Sequence, residues 1–151
     1  DLHSFPTRRS SDLEPEWHIP SAGAYKITLD LRATKVYINP FTPFTQLWLV
    51  GDATPAGWNI DSPTPMVPDG VDPYIFKYEG PLNAGEFKIP TATGNWGGNF
   101  FMPAINYQPL SETAASYVVG GSPDKKWKIT EAGNYRIIFN QLKETIKITK
   151  L

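Results

Sequence analysis

The sequence predicts an all-β chain, an antiparallel β-sandwich preceded by an orphan β-hairpin, on three observations. The first is an internal repeat. Trp17, Ile19, Ala22, Gly23, Tyr25 and Ile27 recur without a gap as Trp127, Ile129, Ala132, Gly133, Tyr135 and Ile137, a constant offset of 110 residues, and Val36 and Ile38 return as Ile146 and Ile148. A fixed period of this length marks one structural unit, and about 100 residues is the size of an immunoglobulin-like sandwich. The second is alternation: Tyr25, Ile27 and Leu29 alternate with Lys26, Thr28 and Asp30, and Tyr135, Ile137 and Phe139 with Asn134, Arg136 and Asn140, as half-buried strands require. The third is punctuation. Fifteen prolines and twelve glycines interrupt the 151 residues, and no stretch keeps a helical period for three turns.

In chain order, residues 1–13 carry no strand or helix period, and His3 to Leu13 resembles the translation of a common short-read sequencing adapter; this segment is expected to be a disordered artefact. Residues 14–40 are read as the C-terminal hairpin of a truncated preceding domain plus linker, with Tyr25, Ile27 and Leu29 on a face that the missing domain covered. Gly23 and Gly133 stand where a turn precedes each copy of the strand. Pro40-Phe41-Thr42-Pro43 reads as a stiff connection, because proline donates nothing to a ladder and holds the chain extended. Residues 41–151 then form the complete immunoglobulin-like domain, with strands expected near 46–50, 74–79, 85–89, 116–119, 126–129, 134–140 and 145–149. The runs 52–57 and 94–98 read as loops.

Composition excludes several functions. Net charge is -1 from 14 basic and 15 acidic residues spread singly, which offers no footprint for nucleic acid or an anionic membrane. Cysteine is absent, and the two histidines, His3 and His18, lie outside the complete domain, so neither nucleophilic triads nor Cys/His metal sites can be built there. No metal and no cofactor is expected. Asp61, Asp69, Asp72, Glu79, Glu86 and Glu112 stand singly rather than as a glycosidase pair, and the chain is read as non-enzymatic. No apolar run is long enough for a membrane span, and no signal peptide is present, so an exported origin requires that the true N-terminus lie outside this sequence.

Aromatic residues are the informative group, at 13% with five tryptophans. Sugars stack their C–H faces on aromatic rings while polar side chains take the hydroxyls. Gly57-Trp58-Asn59 sets an indole directly after a glycine turn, and Gly94-Asn95-Trp96-Gly97-Gly98 sets another among residues too small to bury it. Between them, Glu86-Phe87-Lys88-Ile89 reads as a strand with Phe87 and Ile89 inward and Lys88 outward at the solvent edge. Each loop tryptophan is equally well read as a lid over the core edge. Trp48 and Trp127 are assigned to the core, as are Tyr74, Phe76 and Tyr78, with Tyr78 nearest the surface.

The runs Leu47 to Trp58, Gly85 to Ile89, Asn95-Trp96, Lys126 to Ile129 and Ala132 to Tyr135 resemble SusE/SusF-type outer-membrane proteins of Bacteroidetes, over nearly all of residues 14–151. That resemblance implies a surface lipoprotein whose tandem immunoglobulin-like domains bind starch or another α-glucan beside an outer-membrane glycan transporter, held to the membrane only through a lipid anchor absent from this sequence. The order of Trp58, Lys88 and Trp96 is also similar to glycogen-binding modules, in which a Trp, a Lys and a second Trp cradle the glucan. It implies carbohydrate contacts at Trp58, Lys88 and Trp96, with Asn95 as a neighbouring hydroxyl partner and the two rings within a span of two or three glucose units. The competing reading is a structural spacer or protein-interaction domain, in which the same tryptophans cover the sandwich edge or meet a partner.

Overall fold

The computed structural model describes Ile19 and residues 21–151; the expectations for residues 1–13, His18 and Trp17 lie outside the described residues. The chain divides into two compact units with the boundary between Pro40 and Phe41.

The first unit is a hairpin in which β1 (Tyr25–Asp30) pairs antiparallel with β2 (Lys35–Pro40). Its counterpart in the second unit, 110 residues on, is β12 (Gly133–Asn140) with β13 (Thr145–Lys150). The sequence repeat recurs bond for bond. Tyr25 sits opposite Pro40 as Tyr135 sits opposite Lys150, and Asp30 opposite Lys35 as Asn140 opposite Thr145. The tyrosine hydroxyls each donate to the carbonyl four residues back, Ser21 and Glu131, at 2.7 Å. Asp30 Oδ1 accepts from the amides of Arg32 and Ala33, and Asn140 Oδ1 from those of Leu142 and Lys143, so the same side-chain turn closes both hairpins. Each turn ends on a residue at positive φ, Thr34 at 49° and Glu144 at 51°. What differs is burial. Ile137 and Phe139 are fully buried, whereas Ile27 and Leu29 are 67% and 59% exposed.

The second unit is an antiparallel β-sandwich. One sheet runs β5 (Val67–Pro68), β6 (Ile75–Leu82), β12, β13, with β6 and β12 in register from Ile75–Asn140 to Leu82–Gly133. In the other layer, β7 (Gly85–Phe87) continues through Lys88 into β8 (Ile89–Pro90). On one side β7 pairs with β11 (Trp127–Ile129) and β8 with β9 (Phe100–Pro103), which pairs in turn with β10 (Ala115–Val118). On the other side Lys88 exchanges both backbone hydrogen bonds with Val50, at 2.9 and 3.0 Å, beside β3 (Trp48–Leu49) and its partner β4 (Thr64–Pro65).

Alternation along these strands fills the interior. Phe76, Tyr78, Leu82, Tyr135, Ile137, Phe139 and Ile146 from one sheet meet Leu47, Leu49, Phe87, Ile89, Phe101, Trp127 and Ile129 from the other. Trp127 is fully buried and stacked on Phe87, with centroids 5.3 Å apart. Tyr78 is buried and its hydroxyl donates to the Pro81 carbonyl. Trp48 departs from its expected place in the core: period two sends Leu47 and Leu49 inward and turns Trp48 the other way, where it is half-buried. Gln141 is the buried polar anchor at the entrance to the unit, its amide exchanging hydrogen bonds with Phe44 and reaching the Pro73 carbonyl.

The strand β9 is not among those the sequence predicts. Its four residues Phe100–Pro103 are buried on both faces, so the run lacks the alternation that marks a half-wet strand. Phe101 points into the sandwich interior, while Phe100 and Met102 join Val50, Ile60 and Val118 in a second, smaller apolar cluster on the sheet's outward face. Because residues 41–151 carry their own closed core, deletion of residues 1–40 is expected to leave the melting temperature within a few degrees of the longer chain, read by calorimetry on both. A large fall would show that the hairpin contributes to the core.

Candidate functional site

The outward cluster is the floor of the site. Trp96 stacks on Phe100, with centroids 6.3 Å apart and planes 15° from parallel, and Trp58 leans against Trp96 at 6.1 Å and 49°. The rings are 40% and 44% exposed for Trp58 and Trp96. Both are partly exposed, and their separation lies within the expected span of two or three glucose units.

Local hydrogen bonding brings the two loops together. The Gly51 carbonyl accepts from the Thr54 amide and hydroxyl, Gly57 N donates to Thr54 O, and Gly51 N donates to Gly57 O, which closes a tight turn delivering Trp58. Gly57 takes φ 62°, the left-handed region that glycine enters without a Cβ clash. Asn59 Oδ1 then accepts from the amides of Asp61 and Ser62. On the other loop, Asn95 Oδ1 accepts from Gly97 N at 2.8 Å, folding the chain beneath Trp96. A single backbone bond, Gly94 N to Ile60 O at 2.8 Å, ties one loop to the other.

Lys88 lies on the outward face, as alternation requires, but it is not at a solvent edge. It is 4% exposed, with Nζ 4.1 Å from the Phe100 ring centroid and 5.3 Å from that of Trp96. Its Nζ donates to Asp124 Oδ1 at 2.7 Å. The expectation of a solvated lysine failed because the residues that cover it, Trp96, Phe100 and Asp124, come from a loop, a neighbouring strand and a segment 36 residues on, none of which strand alternation reports. Asn95 is exposed, yet its Oδ1 already serves the Gly97 turn, so it shapes the loop as well as bordering the ring.

Two polar residues at the site escaped the sequence reading, Asp124 and Lys126. Asp124 accepts from both Lys88 and Lys126, at 2.7 and 2.9 Å, and Lys126 Nζ stands 5.9 Å from the Trp58 centroid. A signal existed: with Trp127 inward, period two places Lys126 and Lys128 outward on the face that carries Lys88. Partial burial alone would raise the Asp124 carboxyl, but its hydrogen bonds and charge attraction to Lys88 and Lys126 outweigh this and hold it below the ordinary carboxylate range. Burial works against the charge on Lys126 too, and Asp124 overcomes it, raising Lys126 above the ordinary lysine value.

These contacts set a stability prediction. Replacing Asp124 by Ala leaves Lys88 Nζ covered and unpaired, and is expected to cost about 1–2 kcal/mol after allowance for the half-exposed carboxylate. Lys88→Met, which fills the same slot without a charge, is expected to be near neutral. A folded-state pKa below the unfolded value means that the Asp124 contribution is fully present above about pH 4 and is lost as pH falls further. Thermal melts between neutral and acidic pH should therefore fall less steeply for Asp124→Asn than for the parent; parallel curves would refute the assignment.

No protein-family model matches the chain, and no match was found among curated proteins. Among solved structures, SusF from Bacteroides thetaiotaomicron matches with a TM-score of 0.53 at 19% identity, over 74% of this chain and 25% of SusF. The chain thus has a SusE/SusF-like β fold and spans about a quarter of SusF's length.

Proposed function

We propose that this SusF-like sandwich is a non-catalytic carbohydrate-binding domain that takes starch or a related α-glucan on the Trp58–Trp96 pair. The observation that carries the reading is the pair itself: two indoles 6.1 Å apart, both about half in water and backed by a fixed apolar floor. Single exposed apolar residues are ordinary, but adjoining exposed rings with charged groups at their margin are the composition of a binding surface. Indole faces would meet the sugar C–H faces, while Asp124, Lys126 and the Asn95 amide border the rings where hydroxyls project. The 49° tilt favours a curved chain. A flat, ribbon-like glycan is matched by coplanar rings, whereas the bend between Trp58 and Trp96 follows the turn of an α-linked glucan.

The charge state of Asp124 does not suit it to the role of a catalytic acid. Glycoside cleavage needs one carboxyl held protonated by a raised pKa, and Asp124, beside the rings, is shifted the opposite way. On this reading residues 14–40 would derive from a preceding copy of the domain, as the 110-residue repeat suggests, and residues 41–151 would carry the binding site. The whole protein would sit on the outer-membrane surface through a lipid anchor, working beside a glycan transporter. Tandem copies would then raise a weak single-site affinity through effective concentration.

The test is migration in native gels with and without amylopectin. Retardation of the chain is expected. Unaltered mobility would overturn the reading and leave the spacer or protein-contact role, and release of reducing ends from starch would mean that the domain is catalytic.

A further inference from the structure

A third half-exposed ring stands on the same face. Tyr107, 46% exposed, follows β9 in a turn clipped to the strand that leads into β11: its amide donates to the Lys126 carbonyl at 3.0 Å, and the Lys126 amide donates to Asn106 Oδ1 at 2.8 Å. Its hydroxyl donates to the Glu86 carboxylate. Lys128 Nζ lies 5.5 Å from its centroid, so each of the three rings has a lysine Nζ within 6 Å: Lys88 at Trp96, Lys126 at Trp58, Lys128 at Tyr107. Glu86 and Lys88 are two residues apart on one strand and share a face, a step of about 7 Å. The phenol is therefore anchored one strand step from the place where Lys88 underlies Trp96.

Packing does not explain this ring. Tyr107 belongs to neither apolar cluster, yet its backbone is held at φ 57°, a left-handed conformation that is unfavourable for a bulky side chain. The ring's orientation is fixed at both ends, by Glu86 at the hydroxyl and Lys126 at the backbone, while its face stays in water. We propose that Tyr107 is a second sugar-stacking subsite, extending the Trp58–Trp96 platform along the sheet so that the domain holds long α-glucan chains more tightly than short ones. This rests on the reading of the tryptophan pair as a glucan site.

The experiment is titration calorimetry with maltotriose and maltoheptaose against the parent chain, Tyr107→Ala, Tyr107→Phe and Trp58→Ala. Tyr107→Ala is expected to weaken maltoheptaose by about threefold to tenfold and to leave maltotriose within about twofold. Tyr107→Phe, which keeps the ring, should retain both affinities, and Trp58→Ala should weaken both sugars. Should Tyr107→Ala lower the melting temperature, Tyr107→Leu, apolar but without a flat ring, reads the same split. An equal effect of Tyr107→Ala on both sugars, or on neither, overturns the subsite while leaving the tryptophan site standing. Failure of the parent chain to bind either sugar overturns the tryptophan site and the subsite together.

Discussion

Gly51→Ala is expected to unfold the 41–151 unit. A Cβ at Gly51 would lie 2.0 Å from the Glu86 carbonyl oxygen and 2.6 Å from Phe87 Cα, both backbone atoms of β7. No rotamer change relieves such a clash, so the Gly51–Ala53 segment must separate from β7. Separation breaks the bond from Ala53 N to Glu86 O and the bond from Glu86 N to Asp52 Oδ1, and it disturbs the pairing of β7 with β11 beneath Trp127. Together with φ 147° at Gly51, the loss is placed at about 4 kcal/mol or more, which approaches the lower end of the stability of a unit this size. Gly70→Ala is the control, since a Cβ there meets nothing within 4 Å. Thermal melts of both variants decide the matter: a Gly51→Ala chain melting within a few degrees of the parent would show that this segment parts easily from β7.

The second large effect is on binding. Covering about 60–80 Å² of indole with a pyranose face is worth roughly 1.5–2 kcal/mol, so Trp58→Ala and Trp96→Ala should each weaken glucan binding by about tenfold to thirtyfold. The double variant should lose less than the product of the single losses, because each ring supports the other at 6.1 Å and removing one already loosens its neighbour. Melting temperatures should change little, since both rings lie outside the sandwich interior. Titration with maltoheptaose measures both statements, and dissociation constants within about twofold of the parent would remove the tryptophans from the site.

The repeat determined more of the local structure than any other feature of the sequence. Identical spacing of Tyr, Ile and the turn residues produced two hairpins with the same register, the same tyrosine bond and the same positive-φ corner, because each of those is set by residues within a few positions of one another. Alternation likewise placed Phe87 and Ile89 inward and Lys88 outward, and the glycine turns around Trp58 and Trp96 marked rings that the structure leaves half in water.

What lay beyond the sequence was what covers what. The same hairpin pattern buries Ile137 and exposes Ile27, since burial depends on the sheet packed against a strand and not on the strand itself. Lys88 is sealed by a carboxylate 36 residues away and by two rings, Trp96 from a loop and Phe100 from β9, and its alternating position said only which face it took. Phe100–Pro103 is a strand because both of its faces meet apolar neighbours, a condition that erases the period by which a strand is recognised. Period and turn chemistry act between residues close in sequence, and they were legible there. The closeness of Trp58 to Trp96, the Asp124 bridge and the seat of Tyr107 arise from backbone and side-chain bonds between segments brought together only by the packed sheets, and those the tertiary structure decided.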